Sequence, residues 1–161
     1  MILAAGLGTR LKPFTDHHPK ALAIVNGKSL LQRNIEYLQG YGINEVVVNV
    51  HHFADQIKDA IQKNNGWGST VHISDESDEV LETGGGLLRA KGYFETESKW
   101  LVMNADILTD LDLGQMLEAD KAFEAKSEGE MVATLAVTNR TTSRNLIFNT
   151  AGTLCGWKNN S

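Results

Sequence analysis

The chain of 161 residues has one cysteine, two prolines and no excess of positive charge. Each shortage excludes something. A lone Cys155 rules out an internal disulfide and a thiolate metal cluster, and it points to a reducing, cytoplasmic setting. Fifteen Lys and Arg against twenty Asp and Glu leave a net charge of -5, which argues against a surface that coats nucleic acid. No apolar run reaches membrane-spanning length, and the opening stretch, residues 2–5, is too short for the core of an export signal. The length fits one domain, residues 1–161, burying roughly 70% of its unfolded surface.

Both prolines, Pro13 and Pro19, fall in one polar loop, residues 6–18 and its exit. Around that loop the pattern alternates. Residues 1–5 predict a short buried strand, and Ser29 predicts the cap of a helix through about Gln39 with Leu30, Leu31, Asn34, Ile35 and Leu38 on one face. Residues 45–50 (EVVVNV) predict a strand buried on both faces. A helix over 53–64, a strand over 71–74, a helix from Gly84 to about Phe94 and a strand over 100–104 follow. The remainder predicts a helix over 113–125, a strand over 131–137 and a hairpin of 145–149 with 154–157. Phe94 and Trp100 are expected in the core. The fold class is α/β: a doubly wound, Rossmann-like, mostly parallel sheet with ligand loops at the carboxyl ends of its strands. The loops to read are then 6–19, 51–54, 75–86 and 105–112.

The first of these holds Gly6-Leu7-Gly8-Thr9-Arg10-Leu11. It lacks the third glycine of a dinucleotide fingerprint, and Pro13 stands where the helix should begin. Gly27-Lys28-Ser29 ends like a P-loop, but Leu22 occupies the position of the earlier glycine, so it predicts a turn and a helix cap. What remains is a glycine turn after a buried strand, followed by Arg10 and Lys20. Backbone amides at Gly6 and Gly8 can face phosphate oxygens. Arg10 offers a planar fork and Lys20 a movable point charge. Such a loop on an acidic protein suits a small anionic ligand.

The run Leu3-Ala4-Ala5-Gly6-Leu7-Gly8-Thr9-Arg10-Leu11-Lys12-Pro13-Phe14-Thr15 with Pro19-Lys20-Ala21-Leu22 resembles the signature of the sugar-1-phosphate nucleotidyltransferases. The resemblance continues in Leu81-Glu82-Thr83-Gly84-Gly85-Gly86 and Asn104-Ala105-Asp106. The LETGGG segment is similar to the branch of N-acetylmuramate-1-phosphate uridylyltransferases and mannose-1-phosphate guanylyltransferases.

The resemblance implies a fold of the nucleotide-diphospho-sugar transferase type. It implies transfer of a nucleotidyl group from a nucleoside triphosphate to a sugar 1-phosphate, with release of pyrophosphate and with Mg²⁺ as cofactor. UTP or GTP is the implied donor. Arg10 and Lys20 would act on the phosphates. Ala4, Ala5, Gly6, Gly8, Thr9, Glu76, Leu81, Thr83, Gly84 and Gly85 would bind the nucleotide, and Asp106 would hold the metal. Asp110 and Asp112 are read as turn and cap residues, and His51-His52 as no metal site. A homo-oligomer is left open. Family members continue well past residue 161 and carry a second metal-binding aspartate there. The expectation is therefore an N-terminal, nucleotide-binding portion, incomplete at its C-terminal end. The alternative is a non-catalytic nucleotide-binding or scaffold protein with the same fold.

Overall fold

The computed structural model describes residues 1–79, 81–96, 99–126 and 131–159. The chain divides into two compact units, Met1–Asp110 and Leu111–Ser161.

The first unit is built on a four-stranded sheet of β1 (Ile2–Leu3), β4 (Glu45–Val50), β5 (Thr70–Asp75) and β6 (Met103–Asn104). Its order is β5-β4-β1-β6, and every pairing is parallel. The chain runs outward from β1 through β4 to β5, then returns to place β6 on the other flank of β1. The carboxyl ends of β1 and β6 thus form the switch point where such sheets open a crevice. Residues 46–50 are all buried, as a parallel strand covered on both faces requires. Asn49 is the one polar residue among them.

Between β1 and β4 lie the loop with its three short helical turns, the hairpin of β2 (Ile24–Val25) and β3 (Lys28–Ser29), and α1 (Leu30–Gln39). Asn26 and Gly27 both have positive φ, 47° and 77°, which is the geometry of a two-residue hairpin turn. The GKS segment is therefore a strand entering a helix. Ser29 caps α1, its Oγ accepting from the Gln32 amide at 3.1 Å. Leu30, Leu31, Asn34, Ile35 and Leu38 are the buried residues of α1, as the spacing predicts. Asn34 is satisfied there because its amide donates to the Ala105 carbonyl at 2.8 Å.

After β4 come α2 (Ala54–Lys63) and β5, then α3 (Glu82–Arg89) with a helical extension at Ala90–Phe94. The triple glycine does not precede this helix. It lies inside the first turns, and the helix begins at Glu82, which holds a positive φ of 54°. The expected strand at 100–104 pairs with β1 only at Met103 and Asn104. Phe94 sits against the core cluster of Met1, Val47 and Ala90. Trp100 stacks on Phe94 at 4.5 Å but stays 43% exposed, so it is a lid over that core edge rather than part of it.

The second unit contains α4 (Leu113–Glu124) and an antiparallel hairpin, β7 (Arg144–Phe148) with β8 (Leu154–Asn159). Asp112 caps α4, accepting from the Gln115 amide at 3.1 Å. The strand expected at 131–137 does not form. A strand needs a neighbour for its backbone groups, none is supplied there by the described residues, and Val132 remains 95% exposed.

Candidate functional site

The ends of β1 and β6 open into a cleft of about 450 Å³. Leu3, Ala4 and Ala5 form its floor, and the chain then turns through Gly6, Leu7 and Gly8 along one side. Gly8 adopts a φ of 66°, and a Cβ there would lie 2.8 Å from Thr15 Cγ2 and 3.1 Å from Lys20 Cβ. Only glycine fits both constraints. The Gly8 carbonyl accepts from Thr15 Oγ1 at 3.0 Å and from the Leu11 amide at 2.8 Å, which fixes the turn. Gly6 differs: a Cβ there would meet nothing within 4 Å, and its φ is unremarkable. Its lack of a side chain leaves open space over the floor.

The two expected cations are treated differently by the fold. Arg10 is exposed on the cleft wall, and its guanidinium has no ion pair or hydrogen bond among the described residues. Lys20 is half-buried, and its Nζ donates to Asp106 Oδ2 at 2.5 Å. Asp106 is placed by the backbone before it, where the Ala105 amide donates to the Leu3 carbonyl at 2.9 Å. The Ala105 carbonyl is in turn held by Asn34. Among the described residues no group of three or more His, Cys, Asp or Glu is placed to hold a metal ion.

On the opposite side, Glu76 follows β5 and is 1% exposed. It is pinned at three points. Its amide donates to the Val50 carbonyl at 2.8 Å, its carbonyl accepts from His51 Nδ1 at 2.6 Å, and its Oε1 accepts from Asn49 Nδ2 at 2.9 Å. A carbonyl only accepts, so Nδ1 of His51 carries the proton. Asn49 Oδ1 takes the Ala4 amide at 2.7 Å.

The segment after β5 is braced by two ion pairs, Asp75 with Lys58 at 2.6 Å and Asp78 with Arg89 at 2.8 Å. The Lys58 ammonium, helped by the Ser77 hydroxyl and amide, holds the Asp75 carboxyl far below the usual carboxylate range. Arg89 likewise lowers Asp78.

Ala4, Ala5, Gly6, Gly8, Thr9, Arg10 and Lys20 line the cleft, and so do Glu76, Leu81, Thr83 and Asp106. Gly84 and Gly85 do not reach its wall. A Cβ on Gly85 would lie 2.9 Å from Leu81 Cβ, so that glycine serves the close first turn of α3. Gly86 has the sharper requirement: a Cβ there would come within 2.7 Å of Glu76 Oε1 and 3.0 Å of Asn49 Nδ2. Sequence reasoning missed Asn49, considered His51 only as a metal ligand, and placed Gly86 in the glycine run without its link to Glu76. The signal for Asn49 was present, a single amide in a strand of valines. His51 gave none, because its partner is a backbone carbonyl.

No helix among the described residues is long and apolar enough to cross a membrane. Residues 1–145 match the family model described as nucleotidyl transferase. An N-acetylmuramate alpha-1-phosphate uridylyltransferase of Neisseria meningitidis serogroup B is 39% identical over 112 residues, 70% of this chain and 48% of the relative. A D-glycero-alpha-D-manno-heptose 1-phosphate guanylyltransferase of Campylobacter jejuni is 35% identical over 116 residues, 72% of this chain and 51% of the relative. Among solved structures, HddC from Yersinia pseudotuberculosis complexed with GMP-PN aligns with a TM-score of 0.66 at 38% identity, covering 74% of this chain and 52% of that one. The chain spans about half the length of these relatives.

Proposed function

The chain belongs to the nucleotidyl transferase family, and on that premise we propose that its cleft binds a nucleoside triphosphate for transfer of the nucleotidyl group to a sugar 1-phosphate. The observation that carries this reading is the glycine turn at the switch point, with Arg10 unneutralised beside it and Lys20 within reach. In the reaction a phosphate oxygen of the sugar attacks the α-phosphorus. The bond from the α-phosphorus to the bridging oxygen breaks, and pyrophosphate leaves with that electron pair. Two anions must meet, so positioning and charge neutralisation carry the catalysis.

Each residue has a part in this reading. The amides of Gly6 and Gly8 and the side chain of Thr9 face the phosphates over the Ala4-Ala5 floor. Arg10 holds the β- and γ-phosphates and steadies the departing pyrophosphate, and Lys20 moves onto the α-phosphate. Glu76, with Leu81 and Thr83, borders the nucleoside, while Gly84 and Gly85 shape the helix turn behind them. Asp106 suits Mg²⁺, a hard cation that takes one or two protein carboxylates when phosphates supply other oxygens. Bound there, the ion would neutralise charge on the triphosphate. The uridylyl and guanylyl relatives support UTP or GTP as donor and a sugar 1-phosphate as acceptor. The single cysteine and the nucleotide chemistry support a cytoplasmic setting.

Calorimetric titration of the chain with UTP, GTP, CTP, ATP and dTTP, with and without Mg²⁺, tests the reading. Binding of UTP or GTP is expected, weakened about 10-fold or more in Arg10→Ala, since a charge-assisted hydrogen bond contributes roughly 1.5–3 kcal/mol. Absence of binding to every triphosphate by the folded chain would overturn it.

A further inference from the structure

A buried amide in a strand of valines is costly unless its hydrogen-bonding groups are used. Asn49 is 3% exposed, and it uses both ends. The β1–β4 ladder runs Ile2↔Val48 and Leu3↔Asn49 and then stops. At the next rung the amide of Ala4, in the cleft floor, donates to the Asn49 side chain. Since Ala4 N–H can only donate, the amide oxygen must face it, and the NH₂ group must face Glu76. One carboxamide therefore joins the start of the glycine loop to the carboxylate on the far wall.

Glu76 shows what the join is for. Its Oε1 is committed to Asn49, while Oε2 has no hydrogen-bond partner among the described residues. Glu76 is 1% exposed and lines the cleft, so its second oxygen is an acceptor available there to a donor of the ligand. Gly86 gives up its side chain at this point, where any Cβ would displace the pair. Asn49, Glu76 and Gly86 are fitted to one another.

Resting on the reading of Glu76 as a nucleoside contact, we propose that Asn49 is a positioning residue for the nucleotide. It holds Glu76 with one oxygen free for a donor of the nucleoside, a ring N–H or a ribose hydroxyl, and it ties that contact to the phosphate loop through Ala4. Nucleoside and phosphates are thereby read at a fixed spacing. Uracil and guanine carry a ring N–H beside a carbonyl; at the same ring position cytosine and adenine carry an acceptor, which a carboxylate repels.

The two arms of Asn49 can be cut separately. Asn49→Asp keeps an oxygen for the Ala4 amide but sets a second carboxylate against Glu76. Asn49→Ala removes both arms. Titrations with UTP, GTP and inorganic tripolyphosphate separate the consequences, with 2′-deoxy and 3′-deoxy forms of the bound nucleotide distinguishing hydroxyl from ring donor. Asn49→Asp is expected to bind tripolyphosphate within about twofold of the parent and to lose about 10-fold for UTP or GTP. Asn49→Ala is expected to lose both. Combining Asn49→Asp with Glu76→Gln moves the amide to the other side of the pair, where the introduced glutamine donates to the introduced aspartate. Nucleotide affinity of this double variant is expected to return to within about threefold of the parent. The double variant also decides the case if Asn49→Asp alone does not fold.

Equal losses for nucleotide and tripolyphosphate in Asn49→Asp would reduce Asn49 to a structural residue and overturn the proposal. A folded double variant without recovery would do the same. If Glu76→Gln weakens UTP or GTP but Asn49→Asp does not, the Glu76 contact stands and only this inference fails. If Glu76→Gln changes nothing, the underlying reading of Glu76 fails.

Discussion

Lys20 and Asp106 are bonded to each other, yet the proposed function sends one to a phosphate and the other to a metal ion. Removing the lysine should therefore have opposite effects on the two ligands. The Nζ–Oδ2 distance is 2.5 Å, with the side chains 25% and 33% exposed. Two unit charges 4 Å apart attract by about 4 kcal/mol at an effective dielectric constant near 20. Partial exposure and the cost of desolvation cut this toward the net value of a charged hydrogen bond, about 1.5–3 kcal/mol. Freeing Asp106 in Lys20→Ala should thus strengthen binding of a divalent ion to the nucleotide-free chain by about 10-fold or more, at about 1.4 kcal/mol per factor of ten. Triphosphate affinity should fall in the same variant. The assay is a Mn²⁺ titration followed by electron paramagnetic resonance, with Lys20→Arg as the conservative control and Asp106→Asn to identify the site. In the parent chain, added triphosphate should raise Mn²⁺ affinity, and Mn²⁺ should raise triphosphate affinity by the same factor. A Lys20→Ala chain that binds Mn²⁺ no better than the parent would refute the argument that this pair guards the metal position.

Three further outcomes follow from the geometry. Gly8→Ala should weaken triphosphate binding and lower Tm, because alanine must hold a φ of 66° and its methyl must displace Thr15 or Lys20; a Gly6→Ala chain should keep its Tm, and thermal melts compare the two. Ile35→Ala, emptying a position with 0% exposure on the buried face of α1, should cost about 2–5 kcal/mol in urea unfolding. The Asp75–Lys58 pair should make stability acid-sensitive. The folded carboxyl sits below its unfolded value of about 3.9, so its contribution is present above that pH and is lost as the pH falls below it. The Tm difference between the parent and Lys58→Met should accordingly narrow between about pH 4 and pH 2, and a constant difference would show that the pair is not its source.

Much of the molecule was legible because local terms decide it. The five buried residues of α1 follow from a 3.6-residue period, and its start follows from the Ser29 cap. The strand Glu45–Val50 follows from β-branched residues with no polar face to present to water. The glycine turn with Arg10 and Lys20 marked one wall of the cleft, since small residues and cations have few other joint uses after a buried strand.

Other features were decided only when distant segments met. An apolar run reads the same whether or not a neighbour pairs with it, so residues 131–137 looked like a strand and are not one. Three glycines suggest a break in a helix by their backbone entropy. Here they lie within α3, and Gly86 is demanded by the Asn49–Glu76 pair beneath it. Ala4 meets Asn49 across 45 residues, Asn49 meets Glu76 across 27, and Lys20 meets Asp106 across 86. Composition and periodicity act over one or two turns of chain, and they set which segments become strands and helices. Hydrogen-bond partners depend on which strands lie side by side, so the order β5-β4-β1-β6 alone put both walls of the cleft within one amide's reach.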